Sequence, residues 1–167
     1  LRNWLVVYLG NFAGAMLVAA LCVSGHVFSA FGGKLAASVI AIAQTKAGLT
    51  FGDAFVRGIL CNFLVCIAVW MANAAGTVGG KIAAVFFPIM AFVVAGFEHS
   101  VANMYYLAAG LFTAGQTGAA AEGLTWGRAL IGNLLPVTLG NLVGGGLLVG
   151  VSAWYLYLKQ ERNSVNS

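Results

Sequence analysis

The sequence predicts an all-α integral membrane protein, a helical bundle with an inverted repeat and one broken transmembrane span. Three observations predict it. Hydrophobic residues make up 61% of the chain and charged ones only 7%, against the roughly 25% charged residues of an ordinary soluble domain. The charges bracket long uncharged runs, Arg2 to Lys34, Arg57 to Lys81 and Arg128 to Lys159, and each run exceeds the ~20 residues that cross a bilayer core. Finally, the segment that opens at Asn3 recurs at Asn133.

The whole of 1–167 reads as a single transmembrane domain. The first span is expected over about 4–28 and the second over about 54–75, with the Gly/Lys/Thr-containing stretch Gly32–Gly52 between them as a loop. The third, over about 82–112, is broken at 96–101 by Glu98-His99. Neither its first half nor the part before the Gly115–Gly118 cluster reaches the length of a span, so one interrupted crossing is the economical reading. The last span is expected over about 129–158, with Trp154, Tyr155 and Tyr157 near its end as an interfacial aromatic belt.

A Glu-His pair at mid-span is expensive in hydrocarbon. Irregular backbone at that depth is tolerated only inside protein or beside a water-filled cavity. A cavity at mid-membrane is therefore expected.

The repeat aligns NWLVVYLGNFAGAMLV, from Asn3, with NLLPVTLGNLVGGGLL, from Asn133, and eight of the sixteen positions are identical, among them Gly10/Gly140, Asn11/Asn141 and Gly14/Gly144. With the broken span counted once, the two copies lie three crossings apart and run in opposite directions, as inverted repeats do. A three-span repeat unit would place two further spans before Leu1, which is no initiator methionine. The sequence thus reads as the C-terminal part of a six-span protein.

The net charge of +4 is spread over loop positions, without a basic stripe interleaved with aromatics, so nucleic acid is not an expected partner. Cys22, Cys61 and Cys66 lie inside apolar runs without a CxxC pattern and read as small buried hydrophobes. The Lys/Arg counts on the two sides are equal, Arg2, Lys81, Lys159 and Arg162 against Lys34, Lys46, Arg57 and Arg128, so the positive-inside rule does not orient the chain.

The stretches Gly58–Ala72 (GILCNFLVCIAVWMA), Phe92–Met104 (FVVAGFEHSVANM) and Asn133–Gly150 (NLLPVTLGNLVGGGLLVG) resemble the signature segments of the formate/nitrite transporter family, in the family's order. FEHSVANM is the most specific of them. The resemblance implies an aquaporin-like fold in a homopentamer, with one pore through each protomer, in the cytoplasmic (inner) membrane with the C-terminus cytoplasmic. It implies transport of small monovalent weak-acid anions, formate and nitrite first, with hydrosulfide or short-chain carboxylates as alternatives. The family's first broken span, part of the pore gate, would lie before Leu1.

The same resemblance places the central pore histidine at His99, the constriction phenylalanine at Phe92 and the vestibule lysine at Lys46. It matches Asn62 to the family's membrane-buried asparagine, Asn141 to a further polar group near the histidine, and Glu98 and Asn103 to structural positions beside the pore. An imidazole titrates near neutrality, at ~6.5, and can donate a hydrogen bond or a proton to an anion. The implied mechanism is that Lys46 draws in the anion, Phe92 strips its water, and His99 protonates it or imitates that step. A neutral acid then crosses the dry step at far lower cost than an ion.

Each residue has a plainer reading. His99 could tie the broken helix together, Phe92 could face lipid, Lys46 could be a solvated loop lysine, and Asn62 could join helices. An ionised Glu98 lining the path would oppose an anion, so it is expected to hold loop amides or a neighbouring protomer. The glycines of the last span are expected to pack helices closely.

Two other functions are weighed. A haem-binding membrane subunit would use His26 and His99, but one falls toward a span end and the other at mid-span. A neutral-solute channel of aquaporin type shares broken spans and inverted repeats, yet no Asn-Pro-Ala box occurs and neither Pro88 nor Pro136 follows an asparagine. No enzymatic motif, cofactor or metal site is expected.

Overall fold

The computed structural model describes residues 2–158, the last of them in its main chain alone. Lys159, Arg162 and the C-terminus, which entered the orientation argument, lie outside the described residues. Within them the chain is helical and contains no strand. Its elements are α1 (Arg2–Ser24), α2 (Lys34–Ala47), α3 (Phe51–Ala74), α4 (Val78–Val94), α5 (Ser100–Thr117) and a closing helix, Arg128–Tyr157. α1, α3 and the closing helix are each long and apolar enough to cross a membrane.

One expectation is corrected. The stretch read as a loop, Gly32–Gly52, contains α2. Its buried residues Ala36, Ile40, Ala43 and Ala47 recur at helical spacing, and Lys46 sits in the last turn, where the helix dipole favours a cation. The turn leading into it uses left-handed backbone at His26, Phe31, Gly32 and Gly33. Flanking glycines and isolated polar residues hid a short amphipathic helix.

The chain forms two compact units, Leu1–Phe51 with Ser100–Pro136, and Gly52–His99 with Val137–Ser167. In the first, Gly110 of α5 lies so close to Ala43 of α2 that a Cβ there would strike the alanine's own, and it would lie 3.4 Å from the Val39 carbonyl oxygen. Around this crossing gather Ala43, Ala47, Met104, Leu107, Leu124 and Leu134. Ala19 and Val23 of α1 join Ala108 and Ala109 of α5 in a second cluster. Gln116 adds a hydrogen bond to the Val23 carbonyl at 2.9 Å.

In the second unit α3 and the closing helix touch through glycine. A Cβ on Gly58 would meet the Val137 carbonyl oxygen at 2.8 Å, one on Gly144 would strike the Ile59 carbonyl, and Gly145 abuts the Asn62 amide. Farther along, Trp70 packs edge-on against Tyr157 at 5.7 Å. These contacts advance together along both chains, so the helices run parallel. The closing helix also carries wide turns: the Leu135 N–H bonds to the carbonyl of Leu130, five residues back, just before Pro136. Wide turns occur again over Leu142–Val151. Proline supplies no N–H, and such expanded turns are one way a helix absorbs it.

Candidate functional site

α4 stops where Gly96 takes up the left-handed conformation (φ 67°). The Phe97 N–H returns to the Phe92 carbonyl at 3.0 Å and the Gly96 N–H to the Val93 carbonyl at 3.1 Å. This is the paired hydrogen-bond arrangement by which glycine closes helices. Residues 95–99 are non-helical, and α5 begins directly after them.

The break is tied to its neighbours through the main-chain groups of Glu98. The Glu98 N–H donates to the Arg57 carbonyl of α3 at 3.3 Å. The Asn141 amide donates to the Glu98 carbonyl at 3.0 Å and to the Gly58 carbonyl at 2.8 Å. The Asn62 amide donates in turn to the Asn141 carbonyl at 2.7 Å. Asn141 and Glu98 are both buried. Two asparagines on α3 and the closing helix thus donate to carbonyls of the break and of the helix walls, and losing such a buried bond costs ~1–3 kcal/mol.

Held in this way, His99 lies against Phe92, with ring centroids 6.1 Å apart and planes inclined by 26°. Both are half-buried. Stacking uses the faces of the imidazole, while its nitrogens act in the ring plane, where hydrogen-bond and proton transfer occur.

Lys46 and Asn103 fall in the first unit, where Asn103 and Asn133 are buried. The Asn103 amide donates to Asn133 Oδ1 at 2.8 Å, and the Asn133 amide donates to the Lys46 carbonyl at 2.9 Å. The Lys46 Nζ stands over the ring of Tyr106, 5.4 Å from its centroid.

The site residues named from sequence therefore fall into two groups: His99, Phe92, Glu98, Asn62 and Asn141 in the second unit, Lys46 and Asn103 in the first. Sequence reasoning missed Asn133 and Tyr106. Asn133 had a signal, being the residue on which the internal repeat begins; Tyr106 had none. A cleft of about 650 Å³ is lined by a face of α4 including Ile82, Phe86 and Met90, not by His99 or Lys46.

The profile of the family described as "Formate/nitrite transporter" matches residues 1–155. The chain is 42% identical to "Formate channel FocA" of Haemophilus influenzae, over 93% of this chain and 59% of that protein. It is 40% identical to a "Probable formate transporter" of Methanothermobacter thermautotrophicus, over 96% and 60%. A solved structure described as "Pentameric formate channel with formate bound" superimposes with a TM-score of 0.84 at 38% identity, covering 94% of this chain and 66% of that one. The chain spans about 60% of the length of these curated relatives. On the profile, the identities and the shared fold, the chain belongs to the formate/nitrite transporter family.

Proposed function

We propose that the full-length protein conducts small monovalent weak-acid anions, formate first and nitrite second, through a pore in each protomer of a homopentamer in the cytoplasmic membrane. The observation that carries this reading is His99, presented against Phe92 from a break that two hydrogen bonds to neighbouring helices hold in place. A titratable ring in a non-helical segment between apolar helices is costly unless a wet path reaches it. Support for formate and for the pentamer comes from relatives, whose names speak of formate channels and, in one case, of a pentamer.

In this reading Lys46 attracts the anion, Phe92 forms the dry constriction, and His99 donates the hydrogen bond or proton that makes the anion behave as its acid. Asn62, Asn141 and Glu98 hold the break, and Asn103 holds the end of α2 through Asn133. The parallel run of α3 and the closing helix supports counting α4 and α5 as one crossing, because parallel neighbours in a bilayer have an odd number of crossings between them. The aromatic residues Trp154, Tyr155 and Tyr157, all exposed, suit a membrane interface. The C-terminus is assigned to the cytoplasmic side.

The test is formate and nitrite flux into liposomes carrying the full-length protein, wild type beside His99→Ala, at external pH from about 5 to 8, a range around the ~6.5 of a free imidazole. Flux should depend on pH in the wild type, and the mutant should lose that dependence or the flux itself. Absence of anion flux in correctly assembled wild type would return the neutral-solute channel as the better reading.

A further inference from the structure

The Lys46–Tyr106 contact is built by close packing of α2 on α5. Ala43 meets Gly110 where no second Cβ fits. One turn on along α2, Lys46 meets Tyr106, one turn back along α5. The two helices run antiparallel at this crossing, and the missing side chain of Gly110 brings the lysine within reach of the ring.

Both partners are secured from behind. Tyr105 packs on Tyr106 with centroids 5.9 Å apart, and the Tyr105 hydroxyl lies 3.7 Å from Cys22 Sγ of α1. The Lys46 carbonyl is held by Asn133, which is held by Asn103. At 5.4 Å from the centroid, the ammonium stands within the ~6 Å over which an aromatic face attracts a cation.

We propose that Tyr106 is a positioning residue for anion capture: its ring helps to hold the Lys46 ammonium in place. The proposal rests on the reading of Lys46 as the group that draws the anion in. A lysine side chain is a point charge on a flexible four-carbon stem. An aromatic face attracts the ammonium and limits the positions that the stem can take. Tyr106 is 40% exposed, and a contact of this kind is weak enough to let the site release its anion.

The test is the half-saturating formate concentration and the maximal flux of the full-length protein in liposomes. The variants are Lys46→Met, Tyr106→Leu and Tyr106→Phe, together with phenylalanine analogues at position 106 that carry one, two and three ring fluorines. Tyr106→Leu should raise the half-saturating concentration about threefold, the order expected of an exposed cation–aromatic contact, and should change it more than the maximal flux. Tyr106→Phe should restore capture relative to Tyr106→Leu. Each fluorine drains the ring face at nearly constant volume and should weaken capture stepwise. In a Lys46→Met background the differences among the position-106 variants should vanish.

A flat fluorine series, or a Tyr106→Leu effect that survives Lys46→Met, overturns the role of Tyr106 while leaving Lys46 as the capturing group. A Lys46→Met protein with unaltered capture removes the underlying reading of the lysine as well. If Tyr106→Leu does not assemble, the near-isosteric fluorinated rings still decide.

Discussion

Asn141 donates its side-chain amide to the main-chain carbonyl of Glu98, the residue before His99. The same amide reaches the carbonyl of Gly58 on α3, so one side chain joins the break to a helix wall. Asn141→Leu keeps the volume and removes the side-chain donor from the Glu98 and Gly58 carbonyls, a buried loss of about 1–3 kcal/mol. The expected result is a marked fall in the thermal stability of the detergent-solubilised full-length protein. Asn62→Ala, which removes a single donor to the Asn141 carbonyl, should cost less. Thermal unfolding followed by tryptophan fluorescence orders the two, and the reverse order would contradict the capping role given to Asn141.

The glycines of the closing helix are not equivalent. A Cβ on Gly144 would run into the main chain of Ile59, whereas one on Gly146 meets nothing within 4 Å. Gly144→Ala should therefore push α3 and the closing helix apart at a cost of about 1–3 kcal/mol, while Gly146→Ala should be silent or slightly stabilising through its better helix propensity. Melting temperatures of the two variants, measured side by side, check this. Equal effects would mean that the helices approach less closely than the glycine contacts show.

These two cases show what was legible in the sequence. Composition, run lengths and the Glu98-His99 interruption exposed a membrane protein with a broken helix, because hydropathy and the cost of buried polar groups act locally along the chain. The repeat paired Gly10 with Gly140 and Gly14 with Gly144, and Gly140 and Gly144 press on α3. The identities mark positions where small residues recur, but they do not name the helix that Gly140 and Gly144 meet, because that neighbour is set by tertiary packing. The helix α2 was missed because a short amphipathic segment between glycines carries a weak periodic signal. Tyr106 was illegible because its contact with Lys46, distant in sequence, is made only by the packing of α2 on α5. The roles of Asn62 and Asn141 were half legible: polar residues in apolar spans announce a partner, but the partners are backbone carbonyls, which no sequence pattern names.

The Gly110–Ala43 crossing gives a prediction that contains its own control. Gly110→Ala should destabilise the full-length protein by about 1–3 kcal/mol through overpacking. Ala43→Gly alone should also destabilise, by up to about 1 kcal/mol, because glycine is a poor helix former. Combined, the two changes exchange which helix carries the Cβ, and the double variant should be more stable than the sum of the single losses implies. Contacting residues show such coupling, typically about 0.5–3 kcal/mol. Thermal or denaturant unfolding of the four proteins measures it, and strict additivity would show that the two residues do not touch.

Phe92 stacks on His99 while its carbonyl accepts the hydrogen bond that closes α4, so backbone and side chain both belong to the break. Substituting the side chain leaves the main-chain bond in place and isolates the work of the ring. If the ring forms the dry step, its removal lets partly hydrated ions pass, and ions whose acids are strong profit most because they had no protonated route. Phe92→Ala should then lower formate-over-chloride selectivity on the order of tenfold, which corresponds to ~1.4 kcal/mol of barrier. Phe92→Leu, still bulky and apolar, should retain most of it. Selectivity measured by paired anion fluxes in liposomes decides, and an unchanged ratio in Phe92→Ala would assign the ring to packing against the helix break rather than to the constriction.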